Sequence, residues 1–170
     1  ALGNGHAITA ILGKKEIMDS AQSTFISSTF WTERIGPAAG LKTLEIMEKI
    51  ESWKLITNIG KKIKSQWKEI ASNNNLDIDV AGLDALCSFS IISEDSVKYK
   101  TLITQEMLKS GILASNLVYV SIAHTDELLD EYFNNLDNIF KIIEQCEAKS
   151  LDIDELLKGP VSHTGFHRLN

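Results

Sequence analysis

Four histidines, two cysteines and a cluster of hydroxyls carry most of the chemistry that this sequence offers. His163 and His167 stand four residues apart, the spacing that presents two imidazoles to a metal from one helix face. Gly159, Pro160 and Gly165 argue against a helix there, and no Cys, Asp or Glu ligand stands beside them. No metal site is therefore expected. His124 directly precedes Thr125, a helix-capping residue, at the end of an apolar run, and reads as structural. A Ser–His–Asp triad can be assembled on paper, as in most chains, but no nucleophile-elbow motif supports one. The hydroxyl cluster Ser27-Ser28-Thr29 lies ahead of a helix. Hydroxyls and free backbone N–H groups near a helix start can hold a phosphate, or can simply cap the helix. From the residues alone both readings stay open. Gly3-Asn4-Gly5 reads as a turn.

The elements that must position these groups follow from periodicity. Ala7 to Leu12 reads as a short strand buried on both faces, and Lys14 to Ala21 as a short helix. A helix from about Glu33 to Ile50 follows, with Thr32 as N-cap and Pro37 early in it. Its small residues Gly36, Ala38, Ala39 and Gly40 imply close packing on a neighbour. The next helix, about Ser52 to Ser72, carries apolar residues at Trp53, Ile56, Ile59, Ile63, Trp67 and Ile70. Lys61, Lys62, Lys64 and Lys68 lie among them as a solvated face. Leu76–Ala81 and Ala85–Ile92 read as a hairpin turning at Gly82-Leu83-Asp84. A helix over Ser96–Lys109 ends at Gly111, and a strand over Leu117–Ala123 precedes a helix capped by Thr125. The stripe of that helix is Leu128, Leu129, Phe133, Leu136, Ile139, Phe140 and Ile143. A short helix near Asp152–Leu157 leads into an irregular tail.

From residue 51 onward the order is helix, strand, strand, helix, strand, helix. That is an α+β domain with about three antiparallel strands and helices on one face. Residues 1–50 do not close on themselves and read as the edge of a larger sheet domain. The face formed by Ala7–Leu12 and the Gly36–Gly40 helix is expected to be apolar and exposed, and so to promote association.

Composition excludes several classes. The chain has 170 residues, with 23 acidic and 17 basic side chains giving a net charge of −6, and 44% of its residues are apolar. That balance disfavours a general nucleic-acid binder. The apolar content is that of a folded domain, and no apolar run approaches the roughly 20 residues that cross a bilayer. No signal-peptide pattern is visible. A cytoplasmic location with no membrane partner is expected, with Cys87 and Cys146 as free thiols. The opening Ala1-Leu2-Gly3-Asn4-Gly5 reads like the interior of a longer protein.

Taken in order along the chain, four stretches resemble the C-terminal part of the class III aminotransferases, fold-type-I enzymes dependent on pyridoxal phosphate. They are most similar to the glutamate-1-semialdehyde 2,1-aminomutase branch. Ala1-Leu2-Gly3-Asn4-Gly5-His6-Ala7-Ile8 resembles the segment just after the family's Schiff-base lysine. Ser28-Thr29-Phe30, with Gly36-Pro37-Ala38-Ala39-Gly40, resembles the phosphate-contact loop and its helix. Tyr119 to Thr125 resembles part of the small domain, and Gly159 to Phe166 the C-terminus of some members.

The resemblance implies an α/β fold: residues 1–50 as the C-terminal edge of the large cofactor-binding domain, and 51–170 as the small α+β domain. It places the Schiff-base lysine one position before Ala1, so no catalytic residue is expected within the chain, which alone would be inactive. It makes Thr29 the threonine that reaches the cofactor phosphate of the neighbouring subunit, with Ser28 contributing beside it. The implied assembly is a homodimer with shared active sites. The implied activity is transfer of an amino group, as an aminotransferase or an aminomutase. Typical aminomutases carry a glycine-, serine- and asparagine-rich stretch after the phosphate threonine, where this chain has Trp31-Thr32-Glu33-Arg34-Ile35. That departure points to a related aminotransferase acting on an amino or keto acid or on an amino-sugar precursor. Two other readings stand beside it. One is a non-catalytic interaction domain derived from the same fold, and the other an unrelated small α+β binding protein.

Overall fold

A computed structural model describes residues 2–26, 29–30, 32–163 and 165. The chain divides into two compact units, Ala1–Ser52 and Trp53–Asn170.

The first unit is built on glycine. Of its principal helix, α2 (Ile35–Ile50), only Gly36 and Gly40 are buried. A Cβ at Gly36 would overlap the Ala7 carbonyl oxygen, and one at Gly40 would lie 3.4 Å from the Ile8 side chain. The small residues thus let the segment after the Gly3–His6 turn lie directly against the helix backbone. The rest of α2 is open, with Ile35 61% and Leu41 71% exposed. A helix apolar on several faces requires cover on several faces.

Ala7–Leu12 is not a strand: it carries no regular secondary structure, with Ile11 69% and Leu12 91% exposed. A strand is stable only where a neighbour takes up its backbone groups, and no strand lies beside it among the described residues of this unit. The expected exposed apolar face is accordingly present along Ile11 and Leu12, while the glycine side of α2 is covered from within. A single helical turn, α1 (Lys15–Met18), runs directly into a 3-10 turn over Asp19–Ser23.

The second unit holds α3 (Ser52–Asn73, which starts at the boundary), β1 (Ile78–Leu83), β2 (Leu86–Ile91), α4 (Ser96–Lys109), β3 (Leu117–Tyr119), α5 (Asp126–Glu147) and α6 (Ile153–Leu156). The strands form one antiparallel sheet in the order β1-β2-β3. Val80 pairs with Phe89, and Cys87 with Val118. Cys87, Phe89 and Ile91 are buried, whereas Ser88 and Ser90 between them are not, so one face of the sheet carries the core. Phe89 packs between Trp67 of α3 at 4.8 Å and Phe140 of α5 at 5.8 Å. The α5 stripe is buried from Leu129 through Ile143, but Leu128 is half exposed. Trp53, in the first turn of α3, is 45% exposed. Inside this core the Trp67 Nε1–H donates to the Tyr132 hydroxyl at 2.9 Å.

Two lysines of the expected solvated face are tied down. Lys64 Nζ donates to the Gly82 carbonyl at 2.7 Å and to the Asp84 carboxylate at 3.0 Å. One turn earlier on α3, a Cβ at Gly60 would overlap the Asp84 carbonyl. Gly60 and Lys64, four apart, therefore dock the β1–β2 turn onto the helix. Lys62 bonds Asp126 at 2.7 Å, and that contact holds its ammonium above the ordinary value.

The β3 strand is shorter than the Leu117–Ala123 expectation because the chain leaves the sheet at a turn. The His124 N–H donates to the Ser121 carbonyl, and the Ser121 N–H to His124 Nδ1 at 3.2 Å. His124 thus closes the turn that leads into α5, where the Thr125 hydroxyl accepts from Leu128 N–H. After α6 the tail lies along α4. Gln105 takes the Lys158 N–H at 2.8 Å and donates to the Leu156 carbonyl at 3.0 Å, and Thr101 accepts the Ser162 N–H at 3.0 Å.

Candidate functional site

Thr29 lines an open cleft of about 550 Å³ in the first unit, together with His6, Ala7, Ile8, Thr9, Phe30, Glu33 and Pro37. Two segments distant in sequence make its walls. One is the run after the Gly3–His6 turn, which is closed by the His6 N–H donating to the Gly3 carbonyl at 3.0 Å. The other is the approach to α2, in which the Glu33 N–H donates to the Phe30 carbonyl at 3.1 Å. The close contact of Gly36 with Ala7 and Ile8 brings the two together.

The start of α2 is capped by Glu33, not by Thr32. One Glu33 carboxylate oxygen accepts the Ile35 N–H at 2.5 Å and the other accepts the Gly36 N–H at 3.2 Å. The N-cap position itself, Arg34, contributes no side-chain bond. A carboxylate wins this position because it offers two charge-assisted acceptors to a positive helix end, where a threonine hydroxyl offers one neutral acceptor. The consequence for ligand binding is direct. Two N–H groups that would otherwise hold an anion are already satisfied by the chain's own carboxylate.

Among the described residues the side-chain donors left in the cleft are the Thr29 and Thr9 hydroxyls and the His6 imidazole, and no lysine or arginine is among its lining residues. This set fits one contact to a phosphate, through the Thr29 hydroxyl, and not a complete phosphate site. Among the described residues it supplies no free carboxylate for a pyridinium nitrogen and no lysine. Ser28, expected beside Thr29, and Ser27 lie outside the described residues. His6 and Thr9 were not singled out for this site by sequence reasoning. Their only signal was membership of the glycine-flanked segment Ala1–Ile8 and the apolar run after it.

His163 lies in the tail, and His167 lies outside the described residues. Among the described residues no group of three or more His, Cys, Asp or Glu side chains is arranged to hold a metal ion. A second cleft, in the second unit, runs along β3 and the start of α5 and includes Tyr119, His124, Leu128 and Glu131. No helix among the described residues is long and apolar enough to cross a membrane.

The profile of the aminotransferase class-III family matches residues 1–140. Among curated relatives, 3-aminobutyryl-CoA aminotransferase of Cloacimonas acidaminovorans (strain Evry) is 26% identical over 133 residues. That match covers 75% of this chain and 32% of the relative. Glutamate-1-semialdehyde 2,1-aminomutase of Polynucleobacter necessarius subsp. necessarius (strain STIR1) is 26% identical over 157 residues, covering 82% of this chain and 36% of the relative. Among solved structures, the PLP internal aldimine form of the FumI protein of Sphingopyxis sp. MTA144 superposes with a TM-score of 0.75 at 20% identity. It covers 92% of this chain and 38% of that one. The chain thus spans about a third of the length of the curated relatives it matches.

Proposed function

Because the chain belongs to the class-III aminotransferase family, whose cofactor is pyridoxal 5'-phosphate, we propose that it is the C-terminal part of an aminotransferase. In this reading residues 1–50 end the large cofactor-binding domain and residues 51–170 are the small domain. The cofactor-bearing lysine comes immediately before Ala1. When bound, the cofactor supplies an electron sink that lets an amino group leave one carbon and join another. The residues of this chain do the holding. Thr29 donates its hydroxyl to the phosphate of the cofactor in the neighbouring subunit, with Ser28 beside it. His6 to Thr9, carried on the segment that follows the lysine, form the wall opposite Thr29. The enzyme is a cytoplasmic homodimer whose two sites each draw on both subunits.

The observation that carries this reading is the family match along residues 1–140, with Thr29 lining a cleft beside the segment that follows the proposed lysine. The substrate is an amino or keto acid, or an amino-sugar precursor. Trp31-Thr32-Glu33-Arg34-Ile35, standing where aminomutases carry small flexible residues, favours transfer between two molecules over isomerisation of one. The test is a transfer assay with the full-length protein, cofactor and a panel of 15N-labelled amino donors with keto acceptors. Label is expected in the product amine. Cofactor binding without transfer to any acceptor, or rearrangement of a single substrate with no acceptor present, would overturn the transferase assignment.

A further inference from the structure

We propose that Glu33 is a positioning residue for Thr29, acting as an internal anion that braces the phosphate-contacting turn. The proposal rests on the reading of Thr29 as a phosphate contact. Glu33 is anchored twice on α2, through the Ile35 and Gly36 N–H groups, and once on the turn that follows Thr29, through its own N–H on the Phe30 carbonyl. Gly36, which it grips, is also the point where α2 lies against Ala7 and Ile8. Residue 33 therefore links the two walls in series: its backbone N–H holds the Phe30 carbonyl, and its carboxylate holds the start of α2 at Gly36, where the helix lies against Ala7 and Ile8.

The same contacts decide how an anion is read. The first turn of a helix attracts anions through free N–H groups and its positive end. Here Glu33 has taken that place, and a phosphate entering it would have to displace a charge-assisted carboxylate and meet a like charge. The phosphate is thus left to the Thr29 hydroxyl, which lines the cleft just before the turn, and the contact is only as good as the placement of that turn. Loss of the Glu33 carboxylate leaves the backbone bond to Phe30 in place but removes the two bonds that set residue 33 against the start of α2, so the turn that follows Thr29 is held less closely to the helix.

The experiment is a double-mutant cycle in the full-length protein, read as equilibrium affinity for pyridoxal phosphate and, in parallel, for unphosphorylated pyridoxal. Thr29→Val is expected to weaken pyridoxal phosphate binding roughly tenfold, as for loss of one hydrogen bond to a charged group. Glu33→Ala is expected to weaken it roughly threefold to tenfold, the scale of a lost helix cap, and Glu33→Gln to recover part of that loss through its remaining acceptor. In the Thr29→Val background Glu33→Ala should add little, and pyridoxal affinity should be unchanged by any of these substitutions. Should Glu33→Ala not fold, as judged by its thermal midpoint, the Glu33→Gln cycle carries the same comparison. Additive losses, or equal losses for pyridoxal and its phosphate, would overturn the positioning role while leaving Thr29 in place. An unchanged affinity in Thr29→Val would overturn the phosphate reading itself, and the positioning role with it.

Discussion

Replacing Tyr132 by phenylalanine removes one oxygen and leaves the ring, so it isolates one buried polar bond of the core. The Trp67 side chain is fully buried, and its Nε1–H has the Tyr132 hydroxyl as partner at 2.9 Å. Burial pushes that phenol above the ordinary tyrosine range, so its hydroxyl is kept in the protonated form. Phenylalanine fills the same ring volume and opens no large cavity, but it leaves a buried N–H unmet. That costs about 1–3 kcal/mol, and the hydroxyl's own desolvation is relieved, so a net loss of about 1–2 kcal/mol is expected. For a unit of this size each kcal/mol moves the melting midpoint by roughly 4 °C, which gives a fall of about 4–8 °C. Thermal unfolding followed by far-ultraviolet circular dichroism reads it, and urea unfolding should show a lower midpoint at unchanged slope. In a Trp67→Phe background the donor is gone, and Tyr132→Phe should then change stability by less than about 0.5 kcal/mol. Equal losses in both backgrounds, or none in the parent, would refute the claim that this bond supports the core.

Gly60→Ala should destabilise by about 1–3 kcal/mol, because its Cβ overlaps the Asp84 carbonyl and the β1–β2 turn must move; urea unfolding measures it. The Asp137 carboxyl is held below its ordinary value by the Lys141 hydrogen bond and then by that from Asn74. Its contribution is present above the unfolded pKa of about 4 and is lost as pH falls through the lower folded value. Asp137→Asn should therefore flatten the acid side of the stability–pH profile without sharpening the alkaline side. Burial pushes both the Cys87 and Cys146 thiols up. Modification by an aromatic disulfide reagent should accordingly be slow in the folded chain and should accelerate together with unfolding.

The parts of the fold legible in the sequence are those fixed by local periodicity. In α5, Leu129, Phe133, Leu136, Ile139, Phe140 and Ile143 fall every third or fourth residue and are all buried. Leu128 belongs to the same apolar run but lies at the edge of that face, where hydrophobicity alone does not tell covered from open. Thr125 and Gly111 mark helix ends because capping depends on a few neighbouring backbone groups. Ala7–Leu12 was misread because an apolar run signals a need for burial and says nothing about who provides it. The Thr32 cap was misread because Ser, Thr and Asp are the habitual choices, while Glu33 reaches the same N–H groups with a longer arm. The cleft was half legible. Thr29 stands in a hydroxyl cluster before a helix, but its opposite wall comes from about twenty residues earlier and is joined only through the Gly36 contact.

The central claim is that this chain completes a cofactor site whose lysine directly precedes it. Borohydride reduction of the full-length protein in the presence of pyridoxal phosphate, followed by peptide mapping, tests it most directly. The expected result is a pyridoxyl group on a lysine immediately before Ala1. A pyridoxyl group on Lys14, Lys15 or any other lysine of the chain, or none on a cofactor-saturated protein, would contradict it.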